Sequence, residues 1–144
     1  MAGSELRAAW HKAEVEKRVG NALRELAGRT CARVEDAAKG NILRNGQIVT
    51  GFLYNSLYVV CSGQQRWGTS YETAKALAEA RNPKVKMLPK VTPERDQVAV
   101  VGVGAPYAIY PELRCSYFAA AVEEVREATF RADAEAAAEE EGLL

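Results

Sequence analysis

The chain has one histidine, three cysteines and no long apolar run, and each shortage removes a class of function. Crossing a bilayer takes roughly 20 consecutive apolar residues, so no membrane span is expected. Cys31, Cys61 and Cys115 are too far apart for a C-x-x-C metal signature and are odd in number. Reduced, mostly buried thiols are the expectation. A nucleophile at Cys61 or Cys115 would need a base within reach, and His11 is the only imidazole. His11 sits beside Trp10 in a charged helical stretch, where surface or packing use is expected. No triad-like set converges, so the sequence predicts no enzyme, no cofactor and no metal. The opening "MAGSELRAAWHKAEVEKR" has no apolar stretch behind a basic start. No secretory signal is expected, and synthesis in the cytoplasm of the producing cell is.

Net charge is missing too, since 19 Lys/Arg balance 19 Asp/Glu. That argues against a generic nucleic-acid binder. The balance is uneven along the chain, however. Residues 1–45 carry nine Lys/Arg against six Asp/Glu, and residues 119–144 carry two against eight. Such polarity suits head-to-tail or oriented partner contacts, and a solvated acidic tail is the plainer alternative.

At 144 residues, nearly half of them apolar, the chain is expected to form one α+β domain over 1–144. Leu6, Trp10 and Ala13, then Val15, Val19, Leu23, Leu26, Thr30, Val34 and Ala37, recur at steps of three and four. They predict a long helix from residue 4 to about 38, capped at Ser4, with a bend or break open at Gly20 and Gly28. Gly40, Asn41, Asn45 and Gly46 read as breakers. In "IVTGFLYNSLYVV", Thr50 is placed to cap a short helix, Gly51 to allow close approach, and Leu53 and Leu57 to share a face one turn apart. "LYVVC" then reads as a strand.

Residues 62–70 read as a loop. Thr69 or Ser70 should cap a helix "YETAKALAEAR" with Tyr71, Ala74, Leu77 and Ala78 inward. The segment 82–96, with three prolines and three lysines, is expected to be an exposed arm or edge segment. "QVAVVGVG" is the clearest strand. Pro106 suits the first turn of a short helix "PYAIY", which Pro111 should end or kink. Ser116 should cap a C-terminal helix with Phe118, Val122, Val125, Thr129 and Ala132 on one face, and residues 133–144 should fray as an acidic tail. The sum is a long N-terminal helix, a small antiparallel sheet of two or three strands with helices on one face, and a C-terminal helix. A sheet that small leaves edges to be covered, most economically by further copies.

Two segments in this order resemble the tail-completion, or head–tail joining, proteins of long-tailed bacteriophages, which are minor tail components. The first is Thr50-Gly51 with Leu53, Ser56 and Leu57. The second is Gly102, Gly104, Pro106, Tyr107, Ala108, Tyr110 and Glu112, followed by "SYFAAAVEEV". The resemblance extends over most of the chain except residues 62–96, which read as an insertion. It departs at Pro111 and at Leu113, Arg114 and Cys115, where an aromatic–Gly–Thr turn is usual.

What the resemblance implies is a structural virion protein of the phage neck. It would form a ring of six copies joining the head connector or adaptor to the tail tube or tail terminator. Head-closure and tail-terminator roles are alternatives within the same neck, and a sequence-independent DNA-binding protein is the alternative outside it. Tyr107, Tyr110 and Glu112 become candidates for a subunit contact, with simple packing of a short helix as the alternative for the tyrosines. Trp67, Lys84, Lys86 and Lys90 could meet a neighbouring ring. The lysines could also face DNA in a lumen, or merely be solvated.

Overall fold

The computed structural model describes residues 2–47, 50–62, 66–95 and 98–144, with side chains from residue 11 onward. Its elements in order are helix α1 (Ala2–Arg44), α2 (Phe52–Asn55), strand β1 (Leu57–Cys61), α3 (Tyr71–Arg81), β2 (Ala99–Val103), α4 (Ile109–Cys115), α5 (Phe118–Ala128) and α6 (Phe130–Glu140). The class is α+β and mostly helical. Among the described residues the two strands pair antiparallel, from Leu57 opposite Val103 to Cys61 opposite Ala99.

Helix α1 runs unbroken through Ser4, Gly20, Gly28 and Gly40, six residues past its expected end. Asn41, read as a breaker, is buried, and its amide donates to the Tyr117 carbonyl at 3.0 Å. A side chain committed to a tertiary bond no longer competes for its own backbone. The helix stops where Gly46 takes φ 65° and the Gln47 N–H returns to the Ile42 carbonyl at 3.0 Å. The expected cap at Ser4 and the apolar positions Leu6 and Trp10 lie outside the residues with described side chains.

At 43 residues α1 is about 65 Å long. α5 and α6 return along it, antiparallel, and the contacts mark the route. Arg44 lies 3.7 Å from Glu124, Arg33 Nη2 donates to Asp133 Oδ1 at 2.9 Å, Arg29 pairs with Glu140, and the Asn21 amide reaches Glu141 at 3.4 Å. The core lies between this hairpin and the strands. Val34, Ala38 and Ile42 of α1 pack with Phe52, Leu53, Leu57, Tyr58, Ala74, Ala78, Ala121 and Val125.

The C-terminal leg differs from expectation in two respects. Its buried face is Tyr117, Ala121, Val125, Asp133 and Ala137; of the predicted face Val125 is buried and Phe118 and Thr129 are half-buried, while Val122 and Ala132 are exposed. Tyr117 sets this phase, because its carbonyl takes the Asn41 amide while its hydroxyl donates to the Ala108 carbonyl at 3.1 Å. The acidic end does not fray. Asp133 is buried against Arg33, and the helix closes with the Leu143 N–H on the Ala138 carbonyl at 2.8 Å. Part of the chain's charge polarity is therefore satisfied internally, basic α1 against acidic α6.

The proline-rich segment, expected as an exposed arm or edge segment, is largely exposed but tied to the domain along its length. Met87 is buried in the core, the Leu88 N–H donates to the Gly104 carbonyl at 2.8 Å, and the Tyr71 hydroxyl donates to the Leu88 carbonyl at 2.8 Å. The Val91 N–H reaches the Tyr58 hydroxyl at 3.0 Å. Pro89 and Pro93 cannot donate, so the segment attaches to the end of β2 without extending the ladder. On α3, Ser70 is the N-cap as expected, accepting from the Thr73 N–H, and Ala74 and Ala78 face in while Leu77 is exposed.

Glu35 is the least expected core residue, at 1% exposure. One carboxylate oxygen takes the Lys39 ammonium at 2.9 Å, and the other takes the Thr69 N–H at 2.9 Å. This pins the loop after β1 to the C-terminal part of α1. Removing one partner of a buried hydrogen-bonded charge leaves the rest unsatisfied. Glu35→Ala should lower the unfolding free energy in urea titration by about 3 kcal/mol, and Glu35→Gln by less, because it keeps an acceptor for Thr69.

Candidate functional site: an aromatic cleft between the Thr-Gly turn and helix α4

The turn into α2 is built locally. Gly51 adopts φ 86°, a backbone that β-carbon-bearing residues rarely take, and stands as the N-cap. Thr50, expected as the cap, supplies a hydroxyl oxygen that accepts from the Phe52 N–H at 3.3 Å. The Asn55 amide closes the turn on the Gly51 carbonyl at 2.7 Å, and the buried Ser56 hydroxyl donates to the Leu53 carbonyl at 2.8 Å. Leu53 and Leu57 are buried, as their spacing predicts. The turn thus delivers the chain from α1 into β1.

On the facing side the expected helix over residues 106–110 starts later, at Ile109, and passes through Pro111. Pro111 falls in the first turn of α4, where a missing N–H removes no helical bond. Glu112 then caps the next helix, its carboxylate accepting the Phe118 N–H at 2.8 Å and the Ala119 N–H at 3.0 Å. Ser116, expected as that cap, instead takes a left-handed backbone of φ 39° between α4 and α5. The carboxylate reaches the exposed amides and also suits the positive end of the helix, so it displaces the serine from that task.

These two pieces face each other across a cleft of about 930 Å³, lined in part by Gly51, Phe52, Tyr54, Tyr107, Tyr110 and Leu113. The Tyr107 ring lies 6.2 Å from that of Phe52, and burial pushes the Tyr107 pKa up. Burial, followed by the nearby Glu112 and Tyr107, pushes the Tyr117 hydroxyl up to about 12, so it stays a neutral donor. At the rim of the cleft Tyr110 and Leu113 are 69% and 76% exposed, and neighbouring Ile109 is exposed too. Such a surface offers apolar area and phenolic tips, which suits protein contact.

The other predicted site residues lie elsewhere. Trp67 packs over Gly28 of α1, where a β-carbon would come within 2.1 Å of the indole, between the guanidiniums of Arg29 at 5.6 Å and Arg66 at 5.3 Å. The glycine read as a break in α1 is the seat for this ring, and the tryptophan has a partner within the chain. Glu112 likewise has an intrachain task. Lys84, Lys86 and Lys90 are exposed away from the cleft, with the Lys90 ammonium 3.5 Å from Glu72. Ile109 and Leu113 were missed, although their four-residue spacing after Pro106 was a readable signal.

Burial, then the neighbouring Cys61, pushes the Cys31 thiol up to about 11, which unsuits it for nucleophilic work at neutral pH. Among the described residues no group of three His, Cys, Asp or Glu could hold a metal, and no helix is long and apolar enough to cross a membrane. Comparison with protein-family models, curated proteins and solved structures returns no match.

Two measurements check this geometry. Glu112→Ala should cost about 1 kcal/mol of stability, the usual loss for a helix cap, read as a shift in the urea midpoint. At pH 8 only about a thousandth of Cys31 is thiolate if its pKa is about 11, so a chromogenic disulfide reagent should modify exposed Cys115 first and Cys31 only on unfolding.

Proposed function

We propose that this chain is a structural subunit of the neck of a long-tailed bacteriophage, where copies form a ring joining the head connector to the tail tube. The observation that carries the reading is a convergence. Thr50-Gly51 with Leu53, and Pro106-Tyr107-Ala108 with Tyr110, are the segments that resemble the joining proteins. They are far apart in sequence, yet they line or border one cleft. Exposed Tyr110 and Leu113 at its rim, with exposed Ile109 next to them, give that cleft the character of a contact surface, not of a reaction centre.

In this reading the cleft receives a segment of a neighbouring subunit or of the adjoining ring, and the phenols of Tyr107 and Tyr110 fix its register. Head-closure and tail-terminator positions would use the same surface at another level of the neck. Passage of DNA past the ring would bring Lys84 and Lys86 near phosphate without base readout.

The genetic test is direct. In a phage carrying this gene, an amber mutation in it should leave filled heads and finished tails that do not join. Supplying Tyr110→Ala with Leu113→Asp in trans should not restore joining, although the variant folds. Joined, infectious particles from the amber mutant would contradict the proposal.

A further inference from the structure

We infer, on the contact-surface reading of the cleft given above, that its occupant is an acidic peptide segment of a different protein, with an aromatic or aliphatic side chain set among its carboxylates.

The apolar half of the recognition comes from Phe52, Tyr107, Tyr110 and Leu113. The charge around them has one sign. Among the described residues that line the cleft there is no aspartate or glutamate, and Arg114 is one of them. On the opposite side the stem of Arg81 runs along the Thr-Gly turn. Its Cγ and Cδ lie 3.5 and 3.6 Å from where a β-carbon on Gly51 would sit. Both arginines are exposed, and no described carboxylate pairs with either. Glu112, the acid nearest to Arg114 in sequence, turns its carboxylate to the Phe118 and Ala119 N–H groups instead.

Helix ends alone do not account for these cations. Arg81 closes α3 and Arg114 closes α4, where a cation suits the carbonyl end. A helix end carries about half a unit of negative charge and a guanidinium a whole one, so positive charge remains at the cleft. Arg44 closes α1 in the same way, but it has Glu124 at 3.7 Å. Arg81 and Arg114 have no such partner in the chain. A carboxylate is the group that fits them, because a guanidinium offers it parallel N–H donors. The exposed phenol of Tyr110 is a further donor between them.

The acid comes from a different protein and not from a second copy. Most acidic side chains of this chain's own C-terminal leg already have cations, Glu123 with Arg126 and Glu135 with Arg131 among them, and they stand on helices held against α1. Nucleic acid fits less well, because it presents a continuous row of phosphates. The cleft sets two separated guanidiniums among apolar walls, and Lys84, Lys86 and Lys90 lie away from it. Opposite charge at the rim with an apolar anchor at the centre is the pattern of a protein contact.

Peptide selection tests this chemistry. A random peptide library displayed on yeast is sorted for binding to the labelled, purified chain at low salt. Enriched peptides should combine Asp or Glu with Phe, Tyr, Trp or Leu, and their affinity should fall as salt rises. Arg81→Glu with Arg114→Glu should weaken them about tenfold or more. Arg81→Gln with Arg114→Gln should weaken them less and leave the urea midpoint unchanged. Neutral or basic peptides, no enrichment, or equal binding by the parent and both double variants would overturn the proposal. So would a labelled DNA duplex that binds through the same arginines as tightly as the peptides. Loss of self-association in the Gln pair would make the occupant a second copy, which also overturns it. The amber test is independent of this one. A selection without acidic preference beside unjoined heads and tails removes only this occupant, and joined particles remove the neck role whatever the selection returns.

Discussion

A helix about 65 Å long needs cover along its length, and this chain supplies that cover only in part. From Arg18 to Arg44 the α5–α6 leg and the strands take one side of α1; among the described side chains upstream of Arg18, residues 11–17 are largely exposed. Everything else is arranged around the covered half. β1 and β2 pack on it, the Thr-Gly turn reverses the chain at its end, and the cleft opens beside that reversal.

What holds the covered half is mixed in kind. The apolar part is compact, centred on Val34, Ala38, Ile42, Tyr58 and Phe52. The polar part is sparse but central. Glu35 bonds the loop carrying Trp67 to the C-terminal part of α1, and Asp133 with Arg33 fixes a leg whose second helix buries few side chains. Buried ionic contacts of this type add little net stability over apolar residues of equal size, but leaving one partner alone is costly. They fix the register of α6 on α1 more than they strengthen it. That register in turn decides which residues of the leg face outward.

The sequence was most legible where periodicity was strong. α1, β1, α3 and β2 lie where their apolar spacing places them, and Ser70 caps α3 as its residue type suggests. Legibility failed where a side chain took a partner distant in sequence. Asn41 is a breaker by type but a tertiary donor in place, so α1 runs on. Glu112 caps a helix that Ser116 was expected to cap, and Tyr117 and Ala121, not Val122, join Val125 on the buried face of α5. Composition misled in two segments for a related reason. Prolines and lysines suggested an exposed arm or edge segment at 82–96; most of it is exposed, yet Met87 enters the core. Acidic residues suggested a frayed tail, yet Arg29 and Arg33 receive them. The cleft was half legible. Its tyrosines were singled out, but nothing local indicated that residues near 50 and near 110 would face each other.

The central claim is that this subunit completes itself with copies of itself. The most direct measurement is the mass of the purified protein by light scattering over a wide concentration range, alone and with neck components. The account predicts a discrete ring-sized species, either at high concentration or when connector or tail tube is added as a template. A monomer that keeps its mass at every concentration, beside portal, connector and tail tube, would contradict it.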